Sequence, residues 1–233
     1  MPTQCGAMSR GRVMRLTRLD DCGLVVPGPA ATLVTSGMVQ VVATPVYQDQ
    51  EDISVTNANG DLCVDDQSDP ALRWLTLQMD FCNIDPDAIN IISGAPLVVD
   101  DAAPTPNDVG FRWDTATLGT ANFALEIWSG IKGQGCTEGG FENFGYWLYP
   151  YVVQAQLNEY TVANAALTLS LTARTSAGSG WGVGPYDVVR DVLTPFAPGP
   201  LVSPITATQH GHFQFTNAPL PTAACGAVVL PAP

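Results

Sequence analysis

Positive charge is scarce in this chain of 233 residues: nine lysines and arginines face 22 acidic residues, giving a formal net charge of -13. Nucleic-acid-binding proteins cluster lysine and arginine because the phosphate backbone dominates their affinity. The composition therefore argues against a conventional nucleic-acid binder. Charge of either sign is also sparse, at 13% of residues against about 25% in a typical globular domain.

Long apolar runs are missing as well. No stretch approaches the ~20 apolar residues of a membrane helix, and the first residues contain no apolar run of signal-peptide length. We therefore expect no membrane partner and a protein that is made and kept in the cytoplasm. The cysteines are widely spaced and form no C-x-x-C pair, which favours buried free thiols; the disulfide pairings to check are Cys5 with Cys22 and Cys63 with Cys82.

Recognisable catalytic signatures are absent. G-x-S-x-G, the Walker A loop, G-x-G-x-x-G and the EF-hand pattern do not occur. The only histidines, His210 and His212, could bind zinc with a third ligand, but two solvated imidazoles are the simpler interpretation. Glu126, Glu138 and Glu142 could supply a glycosidase pair, although exposed acids are expected in so acidic a chain. We predict no catalytic residue, no cofactor and no metal: the protein is not an enzyme.

Period-two alternation of apolar and polar residues is the clearest positive signal, and it predicts a mainly β fold. The best strand candidates are WLTLQMDF, FALEIW, VVQAQLNEY, ALTLSLTAR and HFQFT, with MVQVVATPVY and ISVT as further ones. NANG predicts a hairpin turn, and Pro45 indicates an edge strand or a bulge. One short helix is predicted over about 85–94, capped by Asp85 and ended by Gly94, and a weaker candidate spans 185–193.

The polar faces of these strands carry Thr, Ser, Gln and Asn rather than charge. A free sheet surface usually protects itself with charged side chains. Faces this poor in charge indicate surfaces that become covered or that line a channel, which points to self-assembly.

Ordered segments along the chain resemble the major tail proteins (tail tube subunits) of long-tailed, siphovirus-type bacteriophages that infect actinobacteria. They are TRLDDCG, NANGDLCV, LQMDFCNIDPDAINIISG, FALEIWSG and the long YWLYPYVVQAQLNEYTVANAALTLSLTARTSAGSGWGVGPYDV, and the similarity extends from about Cys5 to HFQFTNAPLPTAACGAVVL.

The resemblance implies one domain over 1–233 with N-terminal and C-terminal arms, built as a two-sheet antiparallel sandwich or barrel with long loops. It implies hexameric rings that stack into a tube around a tape-measure protein, together with tail terminator and initiator proteins. The protein would belong to the virion tail, be assembled in the host cytoplasm, and let double-stranded DNA pass without binding it. The alternative function is a non-enzymatic β-sandwich binding module, for capsid decoration or carbohydrate.

Two groups of residues follow as candidate sites. Four of the nine positive charges lie between positions 10 and 18, and we expect them to meet acidic loops of a neighbouring subunit or ring, unless they form a solvated strand face beside Asp20 and Asp21. The predicted inter-subunit residues are Arg10, Arg12, Arg15, Arg18, Asp49, Glu51, Asp52, Asp100 and Asp101. The predicted lumen-facing residues are Thr76, Gln78 and Asp80 on one strand, or alternatively Gln154, Gln156 and Asn158 on another.

Overall fold

A computed structural model describes residues 6–49, 52–115, 119–132, 141–190 and 197–231. It is mainly β, with 51% of residues in strands and 4% in helix. The prediction of a mainly β, antiparallel fold with one short helix is confirmed. No helix among the described residues is both long and apolar enough to cross a membrane.

The elements follow one another along the chain in a fixed order, with the only described helix after the sixth strand. They are β1 (Ala7–Leu19), β2 (Gly28–Thr35), β3 (Met38–Tyr47), β4 (Asp52–Thr56), β5 (Leu62–Gln67), β6 (Leu72–Phe81), α1 (Pro86–Ser93), β7 (Leu97–Val99), β8 (Asp108–Phe111), β9 (Asn122–Lys132), β10 (Phe144–Leu157), β11 (Leu169–Thr175), β12 (Val189–Arg190), β13 (Pro198–Gly199), β14 (His212–Thr216) and β15 (Val228–Leu230).

Nine strands form one antiparallel sheet in the order β15-β2-β1-β9-β10-β11-β6-β3, with β14 paired to β10 outside this path. The long strand β10 is the branch point: residues 144–148 pair with β14, and residues 152–157 pair with β11. The sheet therefore forks at β10, and the described strands do not close into a barrel.

Both faces of the central strands are buried. On one face, side chains from β1 and β2 meet those from β6 and β11 in a first core, so the sheet folds over into two layers. On the other face, Trp128 and Tyr146 lie in a second core that is covered by Trp181, Leu201 and Ile205. The central strands thus lie between two hydrophobic cores, one on each face. The sequence did not indicate the second core.

Helix α1 forms where local signals predicted it. The Asp85 carboxylate accepts a hydrogen bond from the Asp87 N–H at 3.0 Å, Pro86 is the first helical residue, and Gly94 ends the helix with φ +79°. Its apolar side packs into the first core. The helix therefore closes one side of the folded sheet.

Two turn predictions are also confirmed. Strands β4 and β5 form a hairpin whose turn is organised by Asn57, since its Oδ1 accepts hydrogen bonds from the N–H groups of Asn59 and Asp61. The described hairpin residues 53–67 are exposed. Pro45 lies in β3, which is the last strand of the sheet path.

Two expectations are wrong. Residues 185–190 are not helical, because Val188 is buried in the second core and Val189–Arg190 pairs with Pro198–Gly199; residues 191–193 lie outside the described part. The described cysteines are free but exposed rather than buried. Neither Cys63 nor Cys82 is in a disulfide, and Cys5 and Cys136 lie outside the described residues.

Candidate functional site

Five of the six predicted lumen residues come together on one face of a four-stranded part of the sheet, β10-β11-β6-β3, and Gln154 lies at a bulge in β10. Gln156 pairs with Thr172 on β11, Thr172 pairs with Gln78 on β6, and Gln78 pairs with Val42 on the edge strand. Because residues opposite one another in a sheet share a face, these side chains form one continuous row. We call this surface the polar face.

The polar face is tied together by side-chain hydrogen bonds. The Asp80 carboxylate accepts from Gln40 Nε2 at 2.6 Å and from Gln78 Nε2 at 3.3 Å. Asn158 Nδ2 donates to Ser170 Oγ at 3.0 Å and to Thr172 Oγ1 at 2.8 Å. The polar side chains are therefore held in place by one another.

Exposure varies across the six predicted residues. Gln78, Gln154 and Gln156 are exposed, Thr76 and Asn158 are half-buried, and Asp80 is buried. Gln154 lies at a bulge in β10 and has φ +55°. Burial alone would raise the pKa of Asp80, but hydrogen bonds from Ser170, Gln40 and Gln78 outweigh it and lower that pKa.

Charge on the polar face nearly cancels. Its side chains come from alternate positions of the four strands, and the ionisable ones are Asp80 and Arg174. The Arg174 guanidinium lies 5.0 Å from the centre of the Trp74 ring, a distance at which cation and ring attract. The surface offers DNA neither a cluster of positive charge nor a strong negative one. The full set is Gln40, Val42, Thr44, Val46, Trp74, Thr76, Gln78, Asp80, Val153, Gln156, Asn158, Ser170, Thr172 and Arg174.

The β3 edge of this surface has free main-chain groups. The Leu75 N–H donates to Thr175 Oγ1 on β11, so Leu75 and its partner Pro45 form a pair without main-chain hydrogen bonds between β3 and β6. Val41 and Ala43 lie four and two positions before Pro45, at alternate places in the strand. Their N–H groups therefore point out of the edge of the sheet, away from β6. Edges of this kind readily pair with another chain.

A second free edge lies at the end of β10. The Asn158 N–H donates to the Ser170 oxygen of β11, so the main-chain groups of Leu157 point the other way. Pairing with β9 stops at Val152 and Phe123, and no described strand borders Leu157 on that side. The four-stranded part of the sheet thus has an open edge at each end.

Arg15 requires a correction, because it belongs to the interior of the subunit. Its Nε and Nη2 donate to the two carboxylate oxygens of Glu126 at 2.5 and 2.6 Å, and Tyr146 Oη donates to the same carboxylate at 2.7 Å. Burial would lower the pKa of Arg15, but the charge and hydrogen bonds of Glu126 outweigh it and raise that pKa. Its guanidinium also lies over the Tyr186 ring, 3.3 Å from the ring centre. Arg15 is therefore not available to a neighbouring subunit.

Arg18 is also used within the subunit. Its Nη2 donates to Asn90 Oδ1 of helix α1 at 2.7 Å. Burial lowers its pKa, and the charge of Asp87 partly opposes this. Arg18 joins β1 to the helix and is half-buried, so it too is a poor interface candidate.

Arg10 and Arg12 remain exposed. Arg12 Nη2 lies 3.5 Å from Glu142 Oε1, with both side chains largely in solvent. Arg10 has no hydrogen-bond or ion-pair partner among the described residues, and it borders a cavity of about 600 Å³. Of the four arginines at positions 10–18, which we call the basic group, these two are the ones that a neighbouring subunit could reach.

The acidic members of the predicted interface differ in the same way. Asp49 and Asp101 are exposed. Asp100 holds its own loop, since its carboxylate accepts hydrogen bonds from the Ala102 N–H and from the main chain and side chain of Asn107, which together lower its pKa. Asp52 begins β4, and Glu51 lies outside the described residues.

The groups considered for chemistry are engaged in structural contacts. Glu126 is fully buried. His210 Nδ1 lies 2.9 Å from Thr175 Oγ1, and His212 Nε2 lies 3.1 Å from Gln214 Oε1. Within the described ranges, no group of three or more His, Cys, Asp or Glu side chains is arranged to hold a metal ion. Glu138 lies outside the described residues.

Known proteins add no assignment: no protein-family model matches the chain, and a search of curated proteins finds no similar sequence. The resemblance to tail proteins therefore stays a prediction.

Proposed function

We propose that this protein is a structural subunit of a phage tail tube, which assembles as hexameric rings that stack into a conduit for DNA. The observation that supports this most directly is the polar face, a hydrogen-bonded and nearly uncharged surface bounded by two open strand edges. An isolated subunit gains nothing from these two open edges, whereas a closed ring pairs the β3 edge of each copy with the β10 end of the next.

Strand direction is compatible with such a ring. Successive strands in β10-β11-β6-β3 are antiparallel, so β3 of one copy runs antiparallel to β10 of the next. Six copies of four strands give 24 strands. At a spacing of about 4.8 Å and a tilt of about 40°, the backbone diameter is about 48 Å, and side chains reaching about 5 Å inward leave a channel of about 38 Å. That width admits a DNA duplex.

The charge distribution suits passage rather than binding. Phosphate contacts with lysine and arginine hold DNA by counterion release, and the polar face carries one arginine and one aspartate. The net charge of -13 per subunit would lie elsewhere, on the outer and stacking surfaces. In this proposal the tape-measure protein occupies the channel before DNA does, terminator and initiator proteins bound the tube, and the protein resides in the virion tail.

Edge pairing is tested by two substitutions at one position. Ala43→Pro removes an outward N–H without removing a bond to β6, whereas Ala43→Val keeps the N–H. We expect the purified wild-type protein and Ala43→Val to form rings or hollow tubes of uniform width in negative-stain electron microscopy, and Ala43→Pro to stay unassembled with its melting temperature nearly unchanged. Tubes from Ala43→Pro would refute edge pairing.

Channel electrostatics are tested by adding positive charge to the polar face. Tubes of the double variant Gln78→Lys, Gln156→Lys should bind short DNA duplexes inside, and the binding should weaken steeply as salt increases. The control places one lysine at Val202, which is 82% exposed and far from the polar face in sequence. Equal DNA binding by both variants would contradict a channel lined by the polar face.

The basic group is tested only through its exposed members. Replacing all four arginines would also destabilise the subunit through loss of the buried Arg15. Arg10→Gln with Arg12→Gln should weaken tube assembly in a salt-dependent way while the fold persists. Normal assembly by this double variant would remove the arginines from the interface.

A binding module is the second candidate, and one cavity favours it. Trp147, Tyr149 and Phe213 line a space of about 430 Å³ beside His210 and Gln209, and aromatic walls with a few polar groups are typical of ligand pockets. A stable monomer that binds glycans, and loses that binding in Trp147→Ala, would favour this function over the tube.

A further inference from the structure

Trp113 and Tyr160 form an exposed aromatic pair beside the open end of β10. Their rings are stacked with centres 6.2 Å apart at 23°, and Phe111 contacts Trp113 edge-on at 5.2 Å. Trp113 is 50% exposed and Tyr160 41% exposed. Large aromatic side chains left this open while held in a fixed arrangement are typical of interface hot spots.

The aromatic pair borders a cavity of about 440 Å³ that is also lined by residues 155–158 of the β10 end. Leu157 presents its unpaired main-chain groups at the same place. The site therefore combines an open strand edge, which would bind an extended chain, with an apolar recess that would accept one of its side chains.

We propose that this recess binds Val42 of the β3 strand of a second copy. The inference rests on the proposed tube function and identifies the contact that joins neighbours in the ring. Strand β3 is the other open edge of the same four-stranded sheet, and it has the antiparallel direction that pairing with β10 requires.

Strand parity selects Val42. Leu157 on one copy and Val41 or Ala43 on the next have outward main-chain groups, so these residues form the hydrogen-bonded pairs. Pairing Leu157 with Val41 places Val42 opposite Gln156, and pairing it with Ala43 places Val42 opposite Asn158. Both registers bring Val42 beside the aromatic pair and continue the polar face across the boundary.

Exposure supports this assignment. Val42 is 44% exposed on a face whose other members are mostly polar, which is costly for a free surface and is explained if a neighbour covers it. Gln156 and Asn158, one of which lies opposite Val42 in either register, line the same recess as Trp113 and Tyr160.

A double-mutant cycle tests the contact. Trp113→Ala and Val42→Ala should each raise the critical concentration for tube assembly by at least about tenfold, and the double variant should lose less than the product of the two effects. Val202→Ala is the matched control, since it truncates another exposed valine, and it should leave assembly unchanged. Independent, fully multiplicative effects of the two substitutions would overturn the proposal.

A photo-cross-link tests this contact separately from the proposed tube function. Benzoylphenylalanine in place of Tyr160 should cross-link, in assembled tubes, to residues 38–47 of a second copy, as identified by mass spectrometry. Normal tubes of this variant with a cross-link elsewhere would overturn this contact and leave the tube function standing. A wild-type protein that never assembles, even with a tail initiator, would overturn both.

Discussion

The buried ion pair between Arg15 and Glu126 makes a quantitative prediction about stability. Glu126 is 0% exposed and Arg15 7% exposed, so Glu126→Gln would leave a guanidinium in the interior without its counter-charge. Breaking a buried pair in this way costs about 3–5 kcal/mol, a large part of the roughly 5–15 kcal/mol that stabilises a typical domain. At about 2–4 °C per kcal/mol for a chain of this size, the melting temperature should fall by roughly 6–20 °C.

The protein provides its own control for this experiment. Arg12 and Glu142 form the equivalent pair in solvent, with side chains 52% and 65% exposed, and Glu142→Gln should change the free energy of unfolding by less than about 1 kcal/mol. Urea unfolding followed by tryptophan fluorescence measures both variants. Similar small effects for Glu126→Gln and Glu142→Gln would refute the view that the buried pair holds the second core together.

Three further predictions concern single positions. Burial and then the charge of Asp87 raise the pKa of Asp108, so the ionised form is disfavoured, and Asp108→Asn should raise the melting temperature at pH 7 with the gain fading as the pH falls. The lowered pKa of Asp80 means that its stabilisation is present at neutral pH and lost only as the pH falls below its ordinary value of 3.8; Asp80→Asn should therefore lose less stability than wild type in acid unfolding. A Cβ on Gly184 would lie 2.5 Å from Trp181 Nε1 at φ +77°, and Gly184→Ala should lower the free energy of unfolding by roughly 1–3 kcal/mol in urea titrations.

Local signals in the sequence were sufficient for the helix and the hairpin. Asp85, Pro86 and Gly94 act through their own main-chain conformation and hydrogen bonds, and the Asn57 turn is equally local. Such features need no knowledge of distant residues. The helix and the β4–β5 turn were predictable for that reason.

Distant packing explains what the sequence did not reveal. The alternation in FALEIW places Glu126 on a polar face, yet Trp181 and other distant residues cover the same face in the second core. Arg15 pairs with a residue 111 positions away, so its burial has no local signature. Distant packing also explains why the helix predicted over 185–193 was wrong. Val188 packs in the second core, and this contact overrides the helical spacing of the apolar residues.

Strand pairing accounts for the candidate site. The polar residues of β6 and those of β10 were identified separately, and no spacing shows that β11 lies between them. Trp113 and Tyr160 were missed because they lie in connecting segments 47 positions apart. Both residues lie outside the strands, where the alternation of apolar and polar positions does not identify neighbours.

The exposed β4–β5 hairpin should open more often than the nine-stranded sheet. Its strands pair with each other, and a two-stranded hairpin alone is only marginally stable, so its amide hydrogens should exchange far faster than those of β9 and β10, which are buried on both faces. An assembly that buries the hairpin would slow the exchange of the same amides. Hydrogen exchange at residues 53–67 would then report, in solution and without an image, the moment at which each subunit becomes part of an assembly.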